Sequence, residues 1–131
     1  MTIVSVSGPS GPQPFGHYAQ ATRAAGLIFV STQLPIPPAG QAPPSGPAAE
    51  TRQALANVEA ILASCGAGLD DIVRATLFLV DIGDYEAVNR AYSERLGRHR
   101  PARGIIGVAA LHHGYRVAIE AVAAERDGAG R

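Results

Sequence analysis

Apolar residues near the start of the chain follow the patterns of β-strands. Residues 3–6 are compatible with a short edge strand, and residues 18–24 and 27–31 predict two strands around the turn dipeptide Ala25-Gly26. The continuous apolar run at residues 27–30 is typical of a strand that is buried on both faces. This part of the chain is therefore predicted to form a hairpin.

Two later segments repeat apolar residues every three or four positions, which is the period of an amphipathic helix. In residues 48–65 the apolar positions are Ala54, Leu55, Val58, Ile61, Leu62 and Cys65, and the polar side holds Arg52, Gln53, Asn57 and Glu59. In the second segment the apolar positions are Tyr85, Val88, Ala91, Tyr92 and Leu96. Pro47 suits a first helical turn, Asp84 is a candidate N-cap, and Gly66 and Gly97 mark the two helix ends.

Three further segments, at residues 72–80, 103–111 and 116–125, have the composition of strands, and apolar residues occupy both sides of the first. Residues 34–47 hold six prolines and two glycines, which excludes regular structure and predicts a surface loop. The element order β(ββ)–α–β–α–ββ predicts an α/β chain built as a two-layer α+β domain. In it, about six strands form a sheet with two helices on one face.

The other face of this predicted sheet has no cover within the chain. Because many of its strand positions are apolar, we expect that face to be buried against other subunits. The length of 131 residues fits one domain with one core.

The composition excludes several classes of function. Eleven basic and eleven acidic side chains cancel, and no basic stripe or aromatic surface indicates nucleic acid as a partner. No apolar run is long enough to predict a membrane span or a signal peptide, so we expect a cytoplasmic protein.

No motif predicts a metal site or an organic cofactor. The single cysteine, Cys65, lies on the apolar stripe of the first helix and is expected to be a packing residue. His99 and the pair His112-His113 fall in turns, without the spacing of a zinc signature, and no glycine-rich phosphate loop is present. We therefore expect no metal site.

Six motifs, in order along the chain, resemble the Rid (reactive intermediate deaminase, YjgF) family. They are Gly16-His17-Tyr18-Ala19-Gln20-Ala21, Val30-Ser31-Thr32-Gln33-Leu34-Pro35, Thr51-Arg52-Gln53-Ala54-Leu55-Ala56-Asn57-Val58, Ala87-Val88-Asn89-Arg90-Ala91-Tyr92, Pro101-Ala102-Arg103 and Ile119-Glu120-Ala121-Val122-Ala123. The matches span about residues 14–124, which predicts a single Rid/YjgF-like domain over residues 1–131.

This resemblance implies a chorismate-mutase-like fold and a homotrimer with three clefts between subunits. It also implies hydrolysis of 2-imino acids, or of their enamine tautomers, to 2-keto acids and ammonia. That reaction uses no metal and no organic cofactor, and its substrate is a small carboxylate.

The resemblance also points to the residues of the site. Arg103 is expected to hold the substrate carboxylate through two parallel hydrogen bonds, rather than to serve as a surface ion-pair partner. Tyr18 is expected to place its phenol against the imine nitrogen or a water, rather than to be an interface residue with only its ring packed. Ser31 is expected either to bond the ligand or to cap a backbone group. Asn89 resembles the pocket asparagine of the family but could instead hold a loop carbonyl.

Three further residues complete the predicted site. Ile105 shares the strand face of Arg103 and is expected to form an apolar wall where the family often has cysteine. His17 stands where the family usually has proline, and it is either an acid–base group or a loop residue without a role. Glu120 is a candidate for handling the water that attacks the imine.

One departure from the family bears on the activity. Enamine-hydrolysing members commonly carry two glutamates two residues apart in the last strand, and the first of these positions is Ala118 here. Thr32 also replaces a usual glycine. Three readings follow: an imine deaminase, a non-catalytic or regulatory binder of small carboxylates, and a divergent enzyme of a specialised pathway. Family members have also been called endoribonucleases, which the neutral charge does not favour.

Overall fold

A six-stranded sheet forms one layer of the fold in the computed structural model, which describes residues 1–126. The strands are β1 (Val4–Val6), β2 (Ala21–Ala24), β3 (Leu27–Gln33), β4 (Ile72–Leu79), β5 (Ala102–Gly107) and β6 (Val117–Ala124). Their order across the sheet is β1-β2-β3-β6-β4-β5, and every neighbouring pair is antiparallel except β4 with β5. The predicted fold class and element order are confirmed.

Two helices, α1 (Pro47–Ala63) and α2 (Tyr85–Leu96), pack on each other and on one face of this sheet. The predicted apolar stripe of α1 is buried throughout. Gly66 ends the helix with a φ of 74°, and the amide of Ala67 donates to the carbonyl of Leu62 at 3.0 Å. This left-handed turn is the ending that glycine permits most readily.

The predicted hairpin is present between β2 and β3. Ala24 pairs with Leu27, so Ala25 and Gly26 form a two-residue turn with φ values of 53° and 78°. Two successive positive φ angles match the twist of the strands, which is why this turn type is favoured in hairpins. Ala25 occupies a region that non-glycine residues seldom adopt.

The single chain buries only one of the two faces on which we predicted β3 and β4 to be covered. Ile28 and Leu77 are fully buried on the helix side of the sheet. On the other side Phe29 is 42% exposed and Ile106, on β5, is 48% exposed. The apolar runs are therefore half covered by the helices, and the second face of the sheet lies open.

Two buried polar side chains, Gln20 and Asn57, hold the irregular segments of the chain. Asn57 was assigned to the polar side of α1, but it is only 5% exposed, and its amide donates to the carbonyls of Leu34 and Ile36, each at 3.0 Å. Gln20 binds backbone groups of residues 8–12 in the same way. The proline-rich segment has no helix or strand between residues 34 and 46, as predicted, and it is fastened at its start by Asn57.

Asp84 occupies the predicted N-cap position of α2, but its side chain makes no capping hydrogen bond. Its carboxylate instead accepts two hydrogen bonds from the guanidinium of Arg116, at 2.8 and 2.9 Å. The capping aspartate of this turn is Asp81, which accepts from the amide of Gly83 at 2.8 Å.

Within residues 1–126, neither helix has the length and apolar character needed to cross a membrane.

Candidate functional site

Arg103 lies on β5 at the edge of the sheet and points toward α2. Its Nη1 donates to Oδ1 of Asn89 at 2.9 Å, and its Nη2 donates to the hydroxyl of Tyr85 at 3.1 Å. The centre of the guanidinium lies 5.0 Å from the ring centroid of Tyr92 and 5.8 Å from that of Tyr85. These contacts orient the guanidinium by hydrogen bonds and by cation–π attraction.

The three partners of Arg103 come from one stripe of α2, because Tyr85, Asn89 and Tyr92 are spaced by four and three residues. Burial raises the pKa of the Tyr92 phenol, and the charge of Arg103 acts in the opposite direction. Beside them lies a cavity of about 350 Å³, bounded by α2, residues 97–101 and Arg103. A guanidinium has five N–H donors, and two of these bonds are made within the described chain, so donors remain for an anion in this cavity.

A second group of candidate residues surrounds a wider cavity of about 520 Å³ on the open side of the sheet. Its lining residues are Phe15, Tyr18, Ser31, Thr32, Leu34, Leu111, His112 and Glu120. We call it the Tyr18 cavity. Tyr18 is 44% exposed, and its ring meets that of Phe15 edge to face at a centroid distance of 6.1 Å.

Hydrogen bonds within the Tyr18 cavity occupy two of its hydroxyl groups. The hydroxyl of Ser31 donates to the carbonyl of Ala19 at 2.6 Å, so Ser31 caps a backbone group in this structure. The hydroxyl of Thr32 donates to the carboxylate of Glu120 at 2.7 Å. Thr32 thus orients the one carboxylate of this cavity within the described chain.

Arg103 and Glu120 lie on opposite faces of the sheet. Arg103 pairs with Ala75, which is buried beneath the helices, whereas Glu120 pairs with the next residue of β4, Thr76. Successive side chains of a strand point to opposite faces. The residues that we predicted to bind one ligand therefore line two separate cavities of the single chain.

The remaining predicted residues lie outside both cavities. Ile105 is on the Arg103 side of β5 and packs against the core. His17 is exposed and does not line the Tyr18 cavity. Ala118, at the position where the family commonly has glutamate, is fully buried and pairs with Phe78 on the same sheet face as Glu120.

Four residues that line or support the cavities were missed by the sequence-based site prediction. Tyr85 and Tyr92 could have been found, because they share a helical stripe with Asn89. Phe15 and His112 lie in irregular segments far apart in sequence, and no periodic pattern places them beside Tyr18. His112 had been considered only as a metal ligand.

Cys65 is buried at the end of α1, and this burial raises the pKa of its thiol, as expected for a packing residue. Among residues 1–126, no three histidine, cysteine, aspartate or glutamate side chains are grouped as a metal ion requires.

A family model described as Endoribonuclease L-PSP matches residues 9–125. The chain belongs to this family. The YjgF gene product of Escherichia coli superimposes on this chain with a TM-score of 0.87 at 34% identity, covering 93% of this chain and 98% of that structure. The family is therefore the YjgF or Rid family, which the sequence motifs resemble.

Relatives of this Rid-family chain carry more specific names. A protein of Capra hircus named 2-iminobutanoate/2-iminopropanoate deaminase is 40% identical over 121 residues, which cover 92% of this chain and 88% of the relative. TdcF of Escherichia coli, whose crystal structure holds bound serine, superimposes with a TM-score of 0.87 at 28% identity, covering 93% of this chain and 98% of TdcF.

Proposed function

We propose that this protein hydrolyses 2-imino acids, or their enamine tautomers, to 2-keto acids and ammonia. The observation that carries the proposal is the guanidinium of Arg103, which Asn89 and Tyr85 hold at the edge of a cavity. The relative named 2-iminobutanoate/2-iminopropanoate deaminase supports the same reaction.

In this proposal Arg103 binds the substrate carboxylate and presents the imine carbon to water. A protonated imine is already electrophilic, so the protein has to orient the reactants more than to activate them. Positioning of this kind can contribute about 7 kcal/mol or more to the barrier. We assign to Tyr18 the donation of a hydrogen bond to the nitrogen or to the water.

We further propose that the ligand lies in clefts between copies of the chain, in a homotrimer. The open face carries exposed Phe29 and Ile106, and Arg103 and Glu120 point away from opposite faces of the sheet. In this arrangement the open face of one copy packs against the sheet edge of another, so that Arg103 of one copy and the Tyr18 cavity of the other share a cleft. The same contact covers the apolar side chains of the open face. The number three rests on the resemblance to the Rid family.

Ammonia release tests the reaction, with imino acids generated in situ by an amino-acid oxidase. We expect Arg103→Ala to lower kcat/KM by about 10² to 10⁴-fold, since two charge-assisted hydrogen bonds of roughly 1.5–3 kcal/mol each are lost. Arg103→Lys keeps the charge but loses the planar fork, so an intermediate loss is expected. The matched control is Arg98→Ala, an exposed arginine near the same corner.

Wild-type protein that releases ammonia no faster than the uncatalysed reaction would contradict the proposal. Equal rates for wild type and Arg103→Ala, with unchanged thermal stability, would contradict the role of Arg103.

A second candidate function is the binding of small carboxylates without turnover. Ala118 favours it, because a water-handling glutamate is commonly found at this position in the family, and the serine-bound structure of TdcF shows that a relative holds such a ligand. Titration calorimetry with serine and with 2-keto acids separates the two functions. Saturable binding that Arg103→Ala abolishes, without ammonia release, would indicate the binder, and activity gained in Ala118→Glu would identify the missing group.

A further inference from the structure

The Tyr18 cavity is lined by one imidazole, that of His112, within the described chain. His112 begins a short turn, His112–Gly114, between β5 and β6, and it lines the cavity together with Tyr18 and Glu120. It is a candidate for proton transfer, since imidazole is the side-chain type that both takes up and releases a proton close to neutral pH.

The backbone of this turn separates the two adjacent histidines. His113 has a φ of 63° and Gly114 a φ of 73°, so two successive left-handed residues reverse the chain. His113 packs against Phe15 and Tyr115, with ring centroids 5.9 and 6.3 Å apart, and it is absent from the cavity lining. His113 thereby anchors the turn, while His112 faces the cavity.

Two other hydroxyl groups of the cavity already donate hydrogen bonds within the chain. Ser31 donates to a backbone carbonyl, and Thr32 donates to Glu120. Ala118, on the same sheet face as Glu120, has no group that can accept a proton. Within the described chain, His112 is therefore the group of this cavity best suited to exchange protons with a bound water.

We propose that His112 is the acid–base residue that activates the hydrolytic water. This inference rests on the proposed deaminase function and assigns a step within it. Neutral His112 accepts a proton from the water as the water oxygen bonds to the carbon of the protonated imine and the C=N π pair moves to nitrogen. The protonated imidazole then gives that proton to the amino group of the carbinolamine. The C–N bond breaks as an oxygen lone pair forms the C=O bond, ammonia leaves, and the hydroxyl proton passes to the now neutral His112 and from there to solvent.

The pH profile of kcat/KM is the first measurement. We expect wild type to lose activity on the acid side of its pH profile, because protonated His112 cannot accept a proton. The titratable groups that face His112 are Glu120 from β6, Tyr18 from the segment before β2 and the neighbouring His113. His112→Gln should lower kcat about 10²-fold with little change in KM. It should also remove the loss of kcat/KM on the acid side of the pH profile.

Chemical rescue separates proton transfer from a structural role. In His112→Ala, added imidazole should restore activity in a saturable manner, after subtraction of its effect on imine hydrolysis without protein. The matched control is His113→Asn, since asparagine tolerates the left-handed φ of this position. It should retain the wild-type pH profile and show no rescue.

The outcomes separate the two proposals. An active wild type whose rate and pH profile survive His112→Gln would overturn the role of His112 and leave the deaminase function standing. Lost activity without imidazole rescue, together with a lowered melting temperature, would also overturn it. An inactive wild type would overturn both.

Discussion

The two faces of the sheet differ in what covers them, although the same strands supply both. On the helix side Ile28, Leu77 and Leu79 are fully buried within one core. On the other side Phe29 and Ile106 are about half exposed. The helix face stabilises the chain by burial of apolar surface, whereas the open face has its apolar side chains free for contact with another molecule.

The candidate chemistry is divided in the same way. Arg103 is oriented on the helix side by residues of α2, and Glu120 lies on the open side with Tyr18 and His112. The part of the site that binds charge is thus built on packed elements. The part proposed to handle water combines Glu120 of β6 with Tyr18 and His112 from irregular segments.

The largest effect on stability is expected on the helix face. Leu77→Ala removes a fully buried side chain from the centre of β4, and it should lower the free energy of unfolding by about 2–5 kcal/mol. Urea denaturation measures this change. Leu77→Met, which keeps the volume, is the control and should cost less than about 1.5 kcal/mol. A loss below about 1 kcal/mol for Leu77→Ala would mean that the helix face is not the stabilising one.

A charge on the open face should act on assembly instead of on folding. Ile106→Asp places a carboxylate where the proposed cleft buries an apolar side chain, so it should shift the protein to smaller species while far-UV circular dichroism stays unchanged. Sedimentation velocity measures the species present. A wild type that sediments as a monomer would remove the basis for a shared cleft.

The elements of the fold could be predicted because their signals are local. The helical stripes and the Ala25-Gly26 turn depend on residues within a few positions of one another, and the structure has them where expected. The apolar strands also predicted a cover for the second sheet face, and the single chain leaves that face open. An apolar run shows that a surface is apolar, but it does not show which element, or which copy of the chain, covers it.

Prediction of the candidate site was uneven for the same reason. Arg103 and Asn89 were assigned to one site, and the structure joins them by a hydrogen bond. Sequence motifs carry no information about strand order. They therefore could not show that the residues of one predicted site lie on two faces of the sheet. The motif at residues 16–21 made His17 the candidate acid–base histidine. In the fold, His112 lines the Tyr18 cavity and His17 does not.

The amide of Asn57 offers a smaller test on the helix side. Asn57→Ala removes two donors from buried backbone carbonyls, and it should lower the free energy of unfolding by about 1–3 kcal/mol. Asn57→Asp should be more destabilising, because it turns acceptors toward those carbonyls. Hydrogen exchange in residues 34–46 should rise in both variants. Gln53→Ala removes only a neighbouring side-chain bond and serves as the control, and an equal loss there would contradict this assignment.

The smallest effect is expected at Gly104, on the open face between Arg103 and Ile105. A Cβ added at this glycine would lie 2.9 Å from Nη2 of Arg74, which is the mobile end of a long side chain. Gly104→Ala should therefore cost less than about 1 kcal/mol, because Arg74 can move, and the cost should vanish in the double variant with Arg74→Ala. Denaturation of the single and double variants measures this coupling. A loss above about 2 kcal/mol that persists without Arg74 would show that atoms of another copy occupy this part of the open face.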